Sequence, residues 1–437
     1  MDIDSILKPF QRFGVHLGLE RIQRLLANLG NPHHQVPVIH VAGTNGKGSV
    51  CAYLSSVLTQ AGYRVGRYTS PHLVDWTERI CLNEQPISTE ALQQMLLQVQ
   101  TAICPTEESP TQFEVLTAAA WLYFAQSKVD VAVVEVGLGG RLDATNVCDR
   151  PLVTIITSIS REHWQQLGPT LANIAREKAG ILKPGCPAVV GPLPPEAKAV
   201  VRSRIIELGC PVVWVQPALE LRTRERMTGK MPAPQRWASY EGIEYPLVLE
   251  GEIQLSNSAS AIAALQILQQ RGWEISEEAI ATGMAKTSWL GRLQWTTWQN
   301  HELLIDGAHN PAAAQALRQY VDTLDVKSVT WVMGMLSTKE HGDIFRALLR
   351  PADQLYLVSV PEHSSADLDE LAMLAHNICP ELADCRTYSE LITALEAAVA
   401  LPESMVVLCG SLYLVGDFLR TAETSQPQAS AEGEAQR

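Results

Sequence analysis

The sequence has no cysteine pair in C-x-x-C spacing, no apolar run long enough to span a bilayer and no excess of positive charge. Each absence excludes something. Nine cysteines scattered through 437 residues read as reduced, buried apolar filler and not as a disulfide framework or a metal knuckle. With no secretory leader recognised, the expected location is the cytoplasm. A formal net charge of -13 argues against nucleic acid or an anionic membrane surface as the main partner, so an anionic ligand must be held by a local positive site. No repeat or low-complexity block interrupts the chain before the polar, small-residue-rich end, Ala422 to Arg437, which is expected to be disordered. With 46% hydrophobic and 19% charged residues, the remainder is an ordinary soluble globular balance, long enough for two or three domains.

What is present is organised around His40-Val41-Ala42-Gly43-Thr44-Asn45-Gly46-Lys47-Gly48-Ser49. An apolar run from Val36 to Val41 predicts a buried strand before it. Apolar residues at Val50, Tyr53, Leu54, Val57, Leu58 and Ala61 predict a helix after it, closed by Gly62. A glycine-rich turn between a strand and a helix N-terminus presents unpaired N–H groups and the positive end of the helix dipole to an anion. Lys47 adds a mobile cation and Ser49 a hydroxyl suited to Mg²⁺. The match to the general pattern is imperfect: its first glycine falls on Val41, and Gly48 separates Lys47 from Ser49. The alternative is a tight strand-to-helix turn with an incidental lysine.

Gly-Thr-Asn-Gly-Lys-Gly-Ser resembles the phosphate loop of the folylpolyglutamate synthases, relatives of the Mur ligases, which add glutamate to folates using ATP. The run Gly137-Leu138-Gly139-Gly140-Arg141-Leu142-Asp143-Ala144-Thr145-Asn146, directly after Glu135-Val136, is similar to that family's most specific segment. By the resemblance, Asp143 and Ala144 contact the pterin. Ser70-Pro71-His72-Leu73 is similar to the loop over the folate, with Ser70 and His72 as substrate contacts; a proline turn with a surface histidine is the plainer reading. Thr111 and Glu114 form a capping-box pattern, and the resemblance adds Thr111 and Phe113 as lining of the pterin pocket.

Glu135 ends an apolar strand, where a carboxylate is costly unless it meets a cation or donor. It is a metal candidate beside Ser49, or one half of a structural salt bridge. The resemblance adds two metal sites, with His163 as a further ligand and Lys178 as a lysine carbamylated by CO₂. Where the family has aspartate before that histidine, this chain has Glu162. Taken by themselves, His163 is a strand-end histidine and Lys178 a helix lysine beside Glu177.

Further on, the segment Glu220 to Trp237 is charged and irregular, consistent with a short hairpin insertion. Asn257 is a candidate for adenine or ribose contact, although Ile253 stands where the family has histidine. Trp289-Leu290-Gly291-Arg292-Leu293-Gln294 resembles the family's interdomain linker; Arg292 is assigned to the triphosphate, or is a surface arginine at a joint. Asp306-Gly307-Ala308-His309-Asn310-Pro311 matches the family by residue type, placing Asp306 on the ribose and His309 by ATP and the incoming glutamate. Gly410-Ser411-Leu412-Tyr413 also resembles the family, and the resemblance makes Ser411 a substrate candidate.

The expected fold is α/β: a large N-terminal P-loop domain over 1–295, its mostly parallel sheet covered by helices on both faces, then a smaller α/β domain over 296–421 and a tail over 422–437. The resemblance implies an ATP-dependent ligase forming an acyl phosphate, with Lys47, Lys178 and His309 in catalysis. Gly43, Thr44, Asn45, Gly46, Lys47, Gly48 and Ser49 cradle ATP, two Mg²⁺ ions act with it, and folate or dihydropteroate and L-glutamate are substrates. A monomer is the expectation. A Mur-type cell-wall precursor ligase and a nucleotide-gated binding protein without catalysis are the competing readings.

Overall fold

The computed structural model describes residues 2–13, 17–228, 231–401 and 404–425. The first sheet is built from β1 (Val38–Ala42), β2 (Val65–Tyr68), β3 (Ile80–Leu82), β4 (Gln85–Pro86), β5 (Val131–Glu135), β6 (Val153–Ile156), β7 (Ala188–Val190) and β8 (Val212–Trp214), in the spatial order β4-β3-β2-β5-β1-β6-β7-β8. From β2 to β8 the neighbours are parallel; β3 and β4 join as an antiparallel edge. Every residue of β1 and β5 is buried, as expected of strands covered on both faces. Successive residues point to opposite faces. Ile39, Val41, Val131 and Val133 pack with the helices Lys47–Gln60 and Ile253–Gln270. Val38, Ala132 and Val134 pack with Glu20–Asn28, Thr89–Thr101 and Gln112–Gln126 on the other side.

The charged insertion is larger than the hairpin expected over Glu220 to Trp237. It is a three-stranded antiparallel sheet of β9 (Leu219–Thr228), β10 (Met231–Tyr240) and β11 (Ile243–Pro246), ordered β11-β10-β9. Tyr240, Tyr245 and Leu247 bury its near end in the first core.

The chain divides into two compact units between Trp289 and Leu290. The expected boundary after 295 falls inside a strand: β12 (Gln294–Trp298) is hydrogen-bonded antiparallel to β13 (His301–Ile305). The turn between them holds Gln299 and Asn300 at φ 47° and 67°, the sign that a two-residue hairpin requires at both positions. These residues therefore belong to the second sheet's edge and do not form a linker. That sheet continues with β14 (Ser328–Met333), β15 (Gln354–Val358), β16 (Asp384–Tyr388) and β17 (Ser404–Cys409), in the order β12-β13-β17-β14-β15-β16, parallel from β13 onward. It has its own core around Leu304, Trp331, Phe345, Leu355 and Val407. The last helix, Leu412–Ser425, extends into the stretch expected to be disordered from Ala422; the remainder of that stretch, 426–437, lies outside the described residues.

Candidate active site

The phosphate loop lies where β1 ends and the helix Lys47–Gln60 begins. Its shape is held by residues after β6. Thr44 N–H donates to Ser158 O at 2.8 Å, Asn45 N–H donates to Ser158 Oγ at 3.1 Å, and Thr157 Oγ1 donates to Asn45 O at 2.7 Å. Ser160 N–H donates to Thr44 Oγ1 at 3.0 Å. Gly46, the residue before the helix, has φ 86°, and a Cβ there would collide with the Asn257 carboxamide. Only glycine meets both demands cheaply. Asn257 continues the chain of contacts: its Nδ2 donates to Gln254 Oε1 at 3.0 Å, and Gln254 Nε2 donates to Ser49 Oγ at 3.4 Å. Asn257 thus lies against the loop, and Gln254, which keeps the glutamine of the family's Gly-x-His-Gln pattern, joins it there.

Lys47 Nζ donates to Thr44 O at 3.1 Å and lies 3.8 Å from Glu135 Oε1. Glu135 is brought there by strand register, Val41 being its partner across β1 and β5. Its other oxygen accepts from Ser70 N–H at 3.2 Å, so Ser70 reaches this carboxylate from the end of β2. Glu135 thus pairs with a lysine, as the salt-bridge reading expects, and its carboxylate is a hard oxygen of the kind Mg²⁺ takes.

Lys178 closes the floor. It is fully buried at the end of the helix Leu171–Lys178, and its Nζ donates to Gly43 O at 2.6 Å. Burial first, then the positive charge of Lys47, pushes its pKa down to about 7, against the opposing pull of Glu162 and Asp143. A lysine with this pKa is substantially neutral near pH 7, the form in which an amine adds CO₂. His163 is placed differently. It caps the short helix Trp164–Leu167 at φ 49°, its side chain is 43% exposed, and Nε2 stands 3.8 Å from Glu162. Among the described residues no three His, Cys, Asp or Glu side chains form a ready metal cluster. Ser49 and Glu135 supply the hard oxygen donors that Mg²⁺ takes, and Mg²⁺ binds through one or two protein oxygens plus waters and phosphates, not in all-protein cages. The donor set therefore fits a phosphate-bound Mg²⁺.

On the opposite face from the phosphate helix, Thr111 and Glu114 form the capping box that the sequence predicts: Glu114 N–H donates to Thr111 Oγ1 at 3.2 Å, and Thr111 N–H donates to Glu114 Oε2 at 2.7 Å. Arg21 Nε reaches the same Glu114 oxygen at 3.1 Å. Phe113 lays its ring against Gly137, joining the cap to the glycine-rich segment. Asp143 organises that segment from within, accepting from Leu138 N–H at 2.7 Å and from Thr145 N–H at 3.0 Å and Oγ1–H at 2.5 Å. Burial raises its pKa against these bonds. Ala144 is buried beside it. His72 Nδ1 accepts from Arg79 Nε at 2.9 Å, and its ring meets Trp76 edge-on at 4.4 Å. The structure thus gives His72 a packed local role.

In the second unit, Asp306 follows β13 and Ser411 follows the neighbouring strand β17. Asp306 is buried and accepts from Leu293 N–H at 2.8 Å and Ala308 N–H at 2.7 Å; burial raises its pKa, with Arg292 opposing. The Arg292 guanidinium lies against Gly307. His309 Nδ1 donates to Gly307 O at 2.7 Å, which leaves Nε2 as the acceptor nitrogen of the neutral ring. Asn310 caps the helix Pro311–Asp322, and Ser411 Oγ accepts from Tyr413 N–H at 3.2 Å. Arg292, Asp306, His309 and Ser411 are therefore gathered at the carboxyl ends of two adjacent parallel strands, where open α/β sheets bind ligands.

A phosphate loop with a carboxylate at the tip of the adjacent strand, on a parallel sheet followed by a second α/β unit, defines a Mur-type ligase. Residues 41–265 match the Mur ligase middle domain, and residues 291–421 match the dihydrofolate synthetase C-terminal domain. The chain is 35% identical to the dihydrofolate synthetase of Saccharomyces cerevisiae, over 93% of this chain and 98% of that protein. It is also 35% identical to the dihydrofolate synthase/folylpolyglutamate synthase of Bacillus subtilis, over 93% and 95%. Among solved structures, Mycobacterium tuberculosis folylpolyglutamate synthase complexed with ADP and AMPPCP superposes with TM-score 0.83 at 31% identity, covering 98% of both chains. E. coli FolC in complex with DHPP and ADP gives TM-score 0.81 at 31% identity, covering 96% of both. The chain belongs to the dihydrofolate synthase/folylpolyglutamate synthase family.

Proposed function

We propose that the protein is an ATP-dependent ligase that joins L-glutamate to folates and to dihydropteroate. The observation that carries this reading is the convergence of Lys47, Glu135 and the buried Lys178 on the phosphate loop. A carboxylate is a poor electrophile because its charge repels the amine. Transfer of the ATP γ-phosphoryl group to it gives an acyl phosphate; the glutamate amine then attacks the carbonyl carbon, phosphate leaves and a proton is released. Such chemistry is mostly positioning and charge neutralisation.

The loop from Gly43 to Ser49 is assigned to the phosphates and Lys47 to the charge that moves between them. Ser49 and Glu135 would hold Mg²⁺, which neutralises phosphoryl oxygens; His163 and a carbamylated Lys178 are assigned to a second ion. Thr111, Phe113, Asp143, Ala144, Ser70 and His72 are assigned to the pteridine substrate. Asn257, Arg292 and Asp306 are assigned to the nucleotide, and His309 and Ser411 to the incoming glutamate. The relatives' names and the ADP and DHPP complexes support the nucleotide and pteridine as ligand classes; the residue assignments follow the family resemblance. ADP release is expected only when a pteridine carboxylate and glutamate are both present. Release with a cell-wall precursor in place of the pteridine, or nucleotide binding with no turnover on any acceptor, would overturn the proposal.

A further inference from the structure

Gly48 is the residue that breaks the usual phosphate-loop spacing, and the structure shows what occupies the space a side chain would need. A Cβ at this position, in the first turn of the phosphate helix, would run into the six-membered ring of Trp289. The same indole carries the guanidinium of Arg67, whose Cζ lies 5.3 Å from the ring centroid. Arg67 is in turn immobilised. It is 7% exposed on β2, its Nη1 donates to Glu84 at 2.6 Å and its Nη2 to Cys81 Sγ at 3.3 Å. The second carboxylate oxygen of Glu84 receives the hydroxyl of Ser55, which is part of the phosphate helix itself. One buried arginine therefore grips that helix at two levels: through Glu84 at Ser55, and through the indole at Gly48. Cation–π contact is strongest where the cation is desolvated, as it is here.

We propose that Trp289 is a positioning residue for nucleotide phosphate binding. Anchored by Arg67, its ring holds the first turn of the phosphate helix so that the backbone N–H groups stay aimed at the anion. Glycine stands at 48 because the ring lies on its α-carbon. Trp289 is also the last residue of the first unit, so the chain leaves that unit from a point seated on the phosphate helix. The proposal rests on the reading of the loop as a nucleotide site.

ADP binding by calorimetry to the full chain, with kcat and KM for ATP, tests it. Trp289→Ala is expected to weaken ADP binding about tenfold, equivalent to about 1.4 kcal/mol, raising KM for ATP more than it lowers kcat. Gly48→Ala is expected to weaken binding in the native background and to cause no further loss in the Trp289→Ala background, the non-additivity expected of residues in contact. Trp289→Phe keeps an aromatic face for Arg67 but lacks the ring edge that meets residue 48. It is expected to weaken ADP binding by less than Trp289→Ala does and to tolerate Gly48→Ala better than the native chain, and it carries the test if Trp289→Ala does not fold. Unchanged ADP affinity in Trp289→Ala, a lowered Tm as its only effect, multiplied losses in the double variant, or no relief from Trp289→Phe would each overturn the proposal. Failure of the native chain to bind ADP would instead remove the nucleotide reading beneath it.

Discussion

Lys47 and Glu135 share one small volume but do different work. In the proposed reaction the lysine's charge goes with the phosphates, whereas the carboxylate stays at the end of its strand. Lys47→Ala should therefore lower kcat/KM by about a hundredfold or more, and Glu135→Gln should do the same, with the circular dichroism of each variant unchanged. Activity retained in either would remove that residue from the site. His40 gives a prediction of another kind. It is wholly buried in β1 with Nε2 2.9 Å from Thr145 Oγ1, and burial pushes its pKa down to about 3. As pH falls from 6.5, the unfolded chain takes up a proton there and the native chain does not, so stability is lost across that window by up to about 1.4 kcal/mol per pH unit. His33, held at about 4 by burial, acts in the same direction. Urea unfolding between pH 7 and pH 4 should show a shallower loss in His40→Asn, and an identical slope would refute the assignment. At this scale the sequence displayed the residues whose neighbours in the chain advertise them. Lys47 sits among glycines and Glu135 ends an apolar run. Thr157 carries no such signal, and Gln254 and Trp289, although they lie in stretches that resemble the family, show no role on their own, because their partners lie far away in the chain and only the fold brings them to the loop.

Among the elements, the capping box at Thr111 was fully legible, since a threonine and a glutamate three residues apart before an apolar run state their own geometry. Thr111→Ala should cost about 1 kcal/mol in thermal or chemical unfolding. If Phe113 lines the pteridine site, it should also raise KM for the pteridine more than KM for ATP. Equal effects on both would separate the cap from that site. The elements that escaped notice did so for physical reasons. β16 and β12 are edge strands with polar or half-exposed residues, so neither offers the apolar run of an interior strand. The helix Glu277–Lys286 contains Gly283, an unfavourable residue mid-helix, which is needed because a side chain there would strike the backbone of Val57 in the phosphate helix. The helix Thr89–Thr101 is different: its Ser88 cap and its apolar Leu92, Met95, Leu96 and Val99 at helical spacing were there to be read.

For the whole molecule, the broad plan of two α/β units was visible in the alternation of apolar strands and amphipathic helices. The dividing point lies within Trp289 to Gln294, the stretch that resembles the family's linker; the boundary expected at 295 fell later, inside a strand whose pairing with β13 the sequence does not display. The second unit has its own six-stranded sheet and its own core. Residues 290–425 expressed alone are therefore expected to unfold in one cooperative transition by circular dichroism. A broad, featureless melt would show that this unit depends on the first.

The bond from Lys178 to the Gly43 carbonyl has one more implication. When an amine captures carbon dioxide its nitrogen still keeps one hydrogen, which is enough to go on serving that carbonyl while the new oxygens turn elsewhere. The tether beneath the glycine turn can thus outlast the modification: one side chain can brace the turn from below and still be converted into an anion.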